Sequence, residues 1–154
     1  MKKSDAINVW RINLKPGSSN GVDPRKLCLD RNIVGVGWQI AKVEEPVTWK
    51  YYEKEATKKY YDQGDKGWWP ALNAMYHRIR KDDLIWTRDW QGIYYLGRIL
   101  SDWYYETSKD CRNADIVNVR KCDWQKVGTI EAVPGKLVNS FIPSRTVQQV
   151  NDDT

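Results

Sequence analysis

The residues best equipped for chemistry crowd into positions 81–100, KDDLIWTRDWQGIYYLGRIL, where Trp86, Trp90, Tyr94 and Tyr95 are interleaved with Arg88, Asp89 and Arg98. Flat rings beside fixed donors and acceptors are what a protein uses to hold a planar, polar ligand such as a nucleobase. Reaction chemistry is thinner. His77 is the single histidine of the chain, so Ser-His-Asp, Cys-His and histidine-rich metal sites are disfavoured. Neither a P-loop nor a GxGxxG motif is present. Cys28, Cys111 and Cys122 are odd in number, far apart and without a CxxC pair, which argues against a disulfide framework and a zinc site and for a reducing, cytoplasmic setting. Carboxylates are plentiful but scattered, so the expectation is a binding module without catalytic residues, metal or cofactor.

The elements that must position these rings follow from local chemistry. Strands at 84–86 and 93–100 flank Asp89-Trp90-Gln91-Gly92, where an Asp can bond its own backbone and a Gly can take positive φ; this predicts a β-hairpin. Upstream, 7–14 reads as a strand with Trp10, Ile12 and Leu14 facing the core. Asp23 and Pro24 open a short helix that leaves through a left-handed Asn32. The next strand, 33–40, carries Gly35 and Gly37 on one face, where another strand, a packed ring or a ligand must come close. A helix over 49–61 is capped by Thr48 and buries Trp49, Tyr52, Ala56 and Tyr60. A third helix starts at Pro70 with Leu72, Met75, Tyr76 and Ile79 as its apolar stripe, leaving Trp68 and Trp69 in a loop ahead of it. After a polar loop at 107–112 come strands at 114–119 and 127–133, a turn at 133–135, a short apolar segment at 137–141 and a closing strand at 146–150. Trp10 and Trp124 are assigned to the core.

Length and composition set the outer limits. A chain of 154 residues is one domain with room for a core, and no apolar run is long enough to cross a bilayer. The net charge of +5 favours a polyanionic partner, though weakly. With 9 Trp and 9 Tyr against 1 Phe, the aromatic side chains almost all carry a polar handle, which favours half-wet surfaces over a dry core. The strands lack regular βα alternation, and one helical insert interrupts them. The fold class expected is therefore α+β, a small, curved, mostly antiparallel β-barrel with helices packed outside and the hairpin central.

Four stretches taken in order, IVGVGW (33–38), DDLIWTRD with GIYYLGRI (82–99), ADIVNVRKCDW (114–124) and VPGKLVNSF (133–141), resemble the PUA-like superfamily, in particular EVE- and YTH-type domains. The resemblance implies a reader that flips a modified base, methylated adenine or modified cytosine, into an aromatic cage. It implies nucleic acid as the partner, DNA in preference to RNA. It also implies a sensor role in a prokaryotic modification-dependent restriction or defence system, next to a fused or associated effector nuclease. Carried over by position, Trp38 and Trp86 are two cage walls, with Trp68, Trp69, Trp90 and Trp103 as candidates for the third. Arg88, Asp89, Arg98, Lys136 and Arg145 are the base-edge or phosphate contacts. The competing expectations are an RNA-binding module of the ASCH or PUA sort without a cage, a nucleic-acid hydrolase built on Arg88, Asp89 and scattered carboxylates, and a protein-interaction domain.

Overall fold

The computed structural model describes residues 6–14, 21–41, 43, 46–141 and 146–150. In chain order the elements are β1 (Val9–Ile12), α1 (Pro24–Arg31), β2 (Ile33–Val36), α2 (Trp49–Ala56), α3 (Trp68–Asn73), β3 (Leu84–Arg88), β4 (Tyr94–Ile99), β5 (Tyr104–Tyr105), α4 (Lys109–Ala114), β6 (Asn118–Gly128), α5 (Gly135–Ser140) and β7 (Val147–Gln149). Both α2 and α3 end in wider π-helical turns, Thr57–Tyr61 and Ala74–Arg78. The architecture is α+β: one curled sheet in the order β2-β6-β4-β3-β1-β7, with β5 paired to β6. Among the described residues every pairing is antiparallel except β1 on β3. The β3–β4 hairpin forms as its turn chemistry predicts and occupies the middle of that order, as expected from the absence of βα alternation. The sheet forms a half-barrel, with β2 and β7 as its two ends.

Local signals explain most of the elements. The Asp23 carboxylate accepts from the Arg25 amide at 2.9 Å, Pro24 occupies the first turn of α1, and Asn32 leaves at φ 54°. Thr48 Oγ1 accepts from the Tyr51 amide to cap α2. In the hairpin turn, Asp89 Oδ1 accepts from the Gln91 and Ile93 amides while Gly92 sits at φ 80°.

Four expectations are corrected. The third helix begins at Trp68 rather than Pro70, because proline lacks only an N–H that the first turn leaves unbonded anyway. Its π-turn then shifts the helical register, so Leu72, Met75 and Ile79 are buried while Tyr76 is 37 % exposed. Residues 109–114, expected as polar loop, form α4, which buries only Cys111 and Ala114. The strands expected at 114–119 and 127–133 are replaced by the single eleven-residue β6 and a 3-10 turn at Ile130–Ala132.

The main core gathers Trp10, Ile12, Val34 and Ile85 of the sheet with Tyr52 of α2 and Trp68, Leu72 and Met75 of α3 and its π-turn. A second, smaller core of Tyr94, Val133, Leu137 and Phe141 forms where α5 and its approach pack on the sheet, with Trp86 against it. Arg11 alternates away from Trp10 and Ile12 yet is fully buried, because Gln148 accepts from its Nη2 at 2.7 Å and Phe141 lies under its guanidinium. No helix among the described residues is long and apolar enough to cross a membrane.

Candidate base-binding cleft

The open edge of the half-barrel holds the candidate site. β2 stops at Val36 because the next four residues leave the sheet, and Trp38 adopts φ 62°. A left-handed backbone at a bulky non-glycine residue persists only where its surroundings over-determine it, at a cost of about 1–3 kcal/mol. The surroundings here do so. Tyr52 Oη donates to the Trp38 carbonyl at 2.8 Å and Tyr60 Oη to the Gln39 carbonyl at 2.5 Å. Asn118 Nδ2 donates to the Gly37 carbonyl at 2.6 Å, and the Ile40 amide donates to Tyr105 Oη at 3.2 Å. The indole ring is fixed as well: Nε1 donates to Asp65 Oδ2 at 3.0 Å, while Asp65 Oδ1 accepts from the Gly67 and Trp68 amides at the start of α3.

The polar handles of these aromatic side chains are spent inside this network. Tyr52 and Trp68 are fully buried, and Trp68 Nε1 donates to Tyr52 Oη. Their polar handles serve as internal fasteners for one strained segment rather than as a wet surface. Burial, with Asp115, Tyr105 and Asp65 nearby, pushes the Tyr60 phenol up to about 12, so it remains a hydrogen-bond donor at neutral pH.

Trp38 is the common wall of two adjoining depressions. The narrower, about 250 Å3, is lined by Asn13, Leu14, the backbone at 35–37, Ala114, Asp115, Ile116 and Thr146. It falls just below the range of about 300–1,000 Å3 usual for drug-sized ligands, which suits a single planar group. The wider groove, about 850 Å3, runs past Lys66, Trp69, Pro70, Asn73, Arg78 and residues 146–149. Gly35 is needed for the sheet, and Gly37 makes room for the Asp115 carboxylate at the cleft wall. A side chain at Gly35 would start 2.6 Å from Val119 Cγ1 and 2.7 Å from the Asn118 carbonyl, and one at Gly37 would overlap the Asp115 carboxylate. Asp115, itself at φ 56°, offers an acceptor at the cleft wall, where its Oδ1 accepts from Gln39 Nε2 at 3.0 Å.

The sequence-predicted residues separate in space. Trp38 and Trp69 share the wider groove. Trp86 lies against the second core, away from the Trp38 cleft. Trp68 is 2 % exposed and unavailable as a wall. Trp103 belongs to a ring cluster with Trp49 and Tyr76, its Nε1 donating to Asn118 Oδ1. Trp90 projects from the hairpin turn, 64 % exposed, with the Arg25 guanidinium stacked on it. The Asp89 carboxylate is taken up by its own turn and by Tyr95 Oη. Arg88 stacks over Phe141 and donates to Tyr94 Oη. Arg98 is exposed on β4 opposite Asp123, and Lys136 sits half-buried in α5. None of these lines either Trp38 depression, and Arg145 lies outside the described residues.

Sequence reasoning did not single out Asn13, Asp115 or Lys66. The signal available for Asp115 was its place just before a β-branched run, a position suited to a left-handed helix exit. No group of three or more His, Cys, Asp or Glu among the described residues could hold a metal ion. The three cysteines are buried free thiols whose ionisation burial pushes up, which makes them poor nucleophiles.

The family model described as a domain of unknown function, DUF8426, matches residues 10–151, a span that includes the whole cleft. No curated protein matches the chain.

Proposed function

The chain belongs to the DUF8426 family of domains of unknown function, and from its own geometry we propose that it is a non-catalytic nucleic-acid reader that takes a flipped, modified base into the cleft beside Trp38. The observation that carries this reading is the left-handed backbone of Trp38, in a segment (37–40) held by side chains including Tyr52, Tyr60, Tyr105 and Asn118, at the mouth of a cavity sized for one planar group. Trp38 packs against the main core with part of its surface and stays half-buried, so the fixed conformation leaves ring surface at the cleft. It presents a rigid ring face at the open edge of the sheet, with the Asp115 carboxylate available to the polar edge of a base. Lys66 and Arg78 on the adjoining groove are placed for the phosphates that flank such a base.

In finer detail we read the half-barrel as PUA-like, of the EVE and YTH sort. The curled, mostly antiparallel sheet, the helices outside it and the tryptophan just past the end of β2 support that assignment. A sensor role beside an effector nuclease, with methylated adenine or modified cytosine in DNA as the target, follows from the same reading.

Competition binding tests it. Duplexes and single strands with methylated adenine, modified cytosine or neither are offered to the wild-type protein and to Trp38→Ala, with folding checked by near-UV circular dichroism. Stacking on one ring is worth ~1–3 kcal/mol, so the variant should lose roughly ten- to a hundredfold in affinity for the preferred modified strand. Equal affinity of the wild type for modified and unmodified strands would favour an RNA-binding module without a cage. Metal-independent cleavage of the strands would favour the hydrolase.

A further inference from the structure

A second basin lies away from the Trp38 cleft, between the start of α2, the end of the α3 π-turn and the loop before β5. It encloses about 760 Å3 and is lined by Thr48, Trp49, Tyr76, His77, Arg80, Lys81, Asp102, Trp103 and Arg120, with Val47 and Ile79 below. Its unusual member is Arg120. The residue is 2 % exposed, and no carboxylate forms an ion pair with it among the described residues. Nε donates to the Ser101 carbonyl at 2.7 Å, and Nη1 donates to the Met75 and Ile79 carbonyls, both at 2.8 Å. Those bonds satisfy the π-turn that ends α3, and they account for three of the five guanidinium protons. The two protons on Nη2 find no acceptor among the described residues, on a group that lines the basin.

A buried guanidinium cannot shed its charge, and a cation taken out of water with no carboxylate in bonding contact is costly. Asp102 on the rim and the buried Asp83 act on the guanidinium from a distance, and neither forms an ion pair with it among the described residues. Lys81, Arg80 and His77 add cationic character, and Thr48 adds a hydroxyl. Next to them Trp49 and Tyr76 stack face to face, centroids 4.0 Å apart, with Trp103 edge-on at 5.3 Å and one flank of Tyr76 open to solvent.

We propose that this basin is a second ligand site, which receives a phosphate on Arg120 Nη2 and Lys81 while the attached planar base lies on the Trp49–Tyr76 shelf. The ligand class is a nucleotide, free or as one residue of a strand, and the site does not depend on the Trp38 reading. Arg120 also fastens the helix end, so its replacement would mix binding with stability; Lys81, exposed on the rim, carries the test instead.

Adenosine 5′-monophosphate, adenosine and inorganic phosphate are titrated into isotope-labelled protein while the Arg120 side-chain and Trp49 and Trp103 indole N–H resonances are followed. The nucleotide should move all of them, phosphate should move Arg120 alone, and adenosine should leave Arg120 in place. Lys81→Glu should weaken the nucleotide by about fivefold or more, and Trp38→Gly should leave its affinity unchanged. A short single strand added to Trp38→Gly separates the sources: shifts at the same resonances identify a nucleotide within a strand, and their absence identifies the free nucleotide. The proposal is overturned if Arg120 does not respond up to about 10 mM nucleotide, if Lys81→Glu titrates like the wild type, or if Trp38→Gly abolishes the shifts.

Discussion

At Trp38 the ordinary rules of substitution invert. Alanine keeps the left-handed backbone and loses the ring, whereas glycine loses the ring and relieves the strain. Trp38→Gly should therefore be about 1 kcal/mol more stable than Trp38→Ala in urea unfolding, while both lose the ring face equally in binding. The reverse order would mean that the strain is absent. Gly35 obeys the opposite logic. Its missing Cβ is what lets Val119 and the Asn118 carbonyl approach, so Gly35→Ala should cost about 1–3 kcal/mol through overpacking between β2 and β6. A neutral result in the same assay would show that the two strands can part. Both residues were legible in the sequence as a glycine-punctuated strand ending in Trp. Which neighbour the glycines made room for was not, because Asn118 and Val119 arrive some eighty residues later.

Among the elements, legibility tracked how local the determinants were. The α1 ends and the hairpin turn are written in adjacent residues, Asp23-Pro24 with Asn32 and Asp89 with Gly92, and they form as those residues dictate. By contrast, α4 stays amphipathic over only two inward positions, Cys111 and Ala114, too few to show a helical period. The buried Arg11 looked like a solvent-facing residue because its partners, Phe141 and Gln148, lie at the far end of the chain. Of the tryptophans, Trp38 and Trp86 have similar settings in the sequence, and what separates them is distant: the bonds that hold Trp38 left-handed beyond β2, and the second core packed against Trp86 within β3. The π-turn that closes α3 depends on a residue in β6, and this makes a prediction at the same scale. Arg120→Met removes three charged hydrogen bonds to carbonyls and should destabilise the protein by about 3 kcal/mol or more, read as a lower urea midpoint. A midpoint within about 0.5 kcal/mol of wild type would mean that water replaces the guanidinium at no cost.

For the whole molecule, binding at the cleft should weaken about tenfold or more between low and moderate salt, and Lys66→Ala with Arg78→Ala should flatten that dependence. A salt-independent affinity would exclude a strand as the ligand. Alkaline stability follows from the buried phenols. Tyr60 titrates near 12 when folded against an ordinary 10.0, so the folded state holds its proton longer; the stabilisation is whole below pH 10 and fades as pH rises toward 12. Tyr52 and Tyr105 are shifted the same way by burial, so thermal unfolding should fall steeply above pH 10, and a flat profile there would contradict the network around Trp38. The position of β1 has a temporal consequence. It pairs with β3 on one side and β7 on the other, and the Val150 amide closes onto the Val9 carbonyl at 2.7 Å. Strand β1 thus waits for β7, made about 130 residues later, before both its edges are covered. Loop closures of that span are slow to form, so folding is expected on the millisecond-to-second scale, with the β1–β7 amides the last to gain protection from hydrogen exchange.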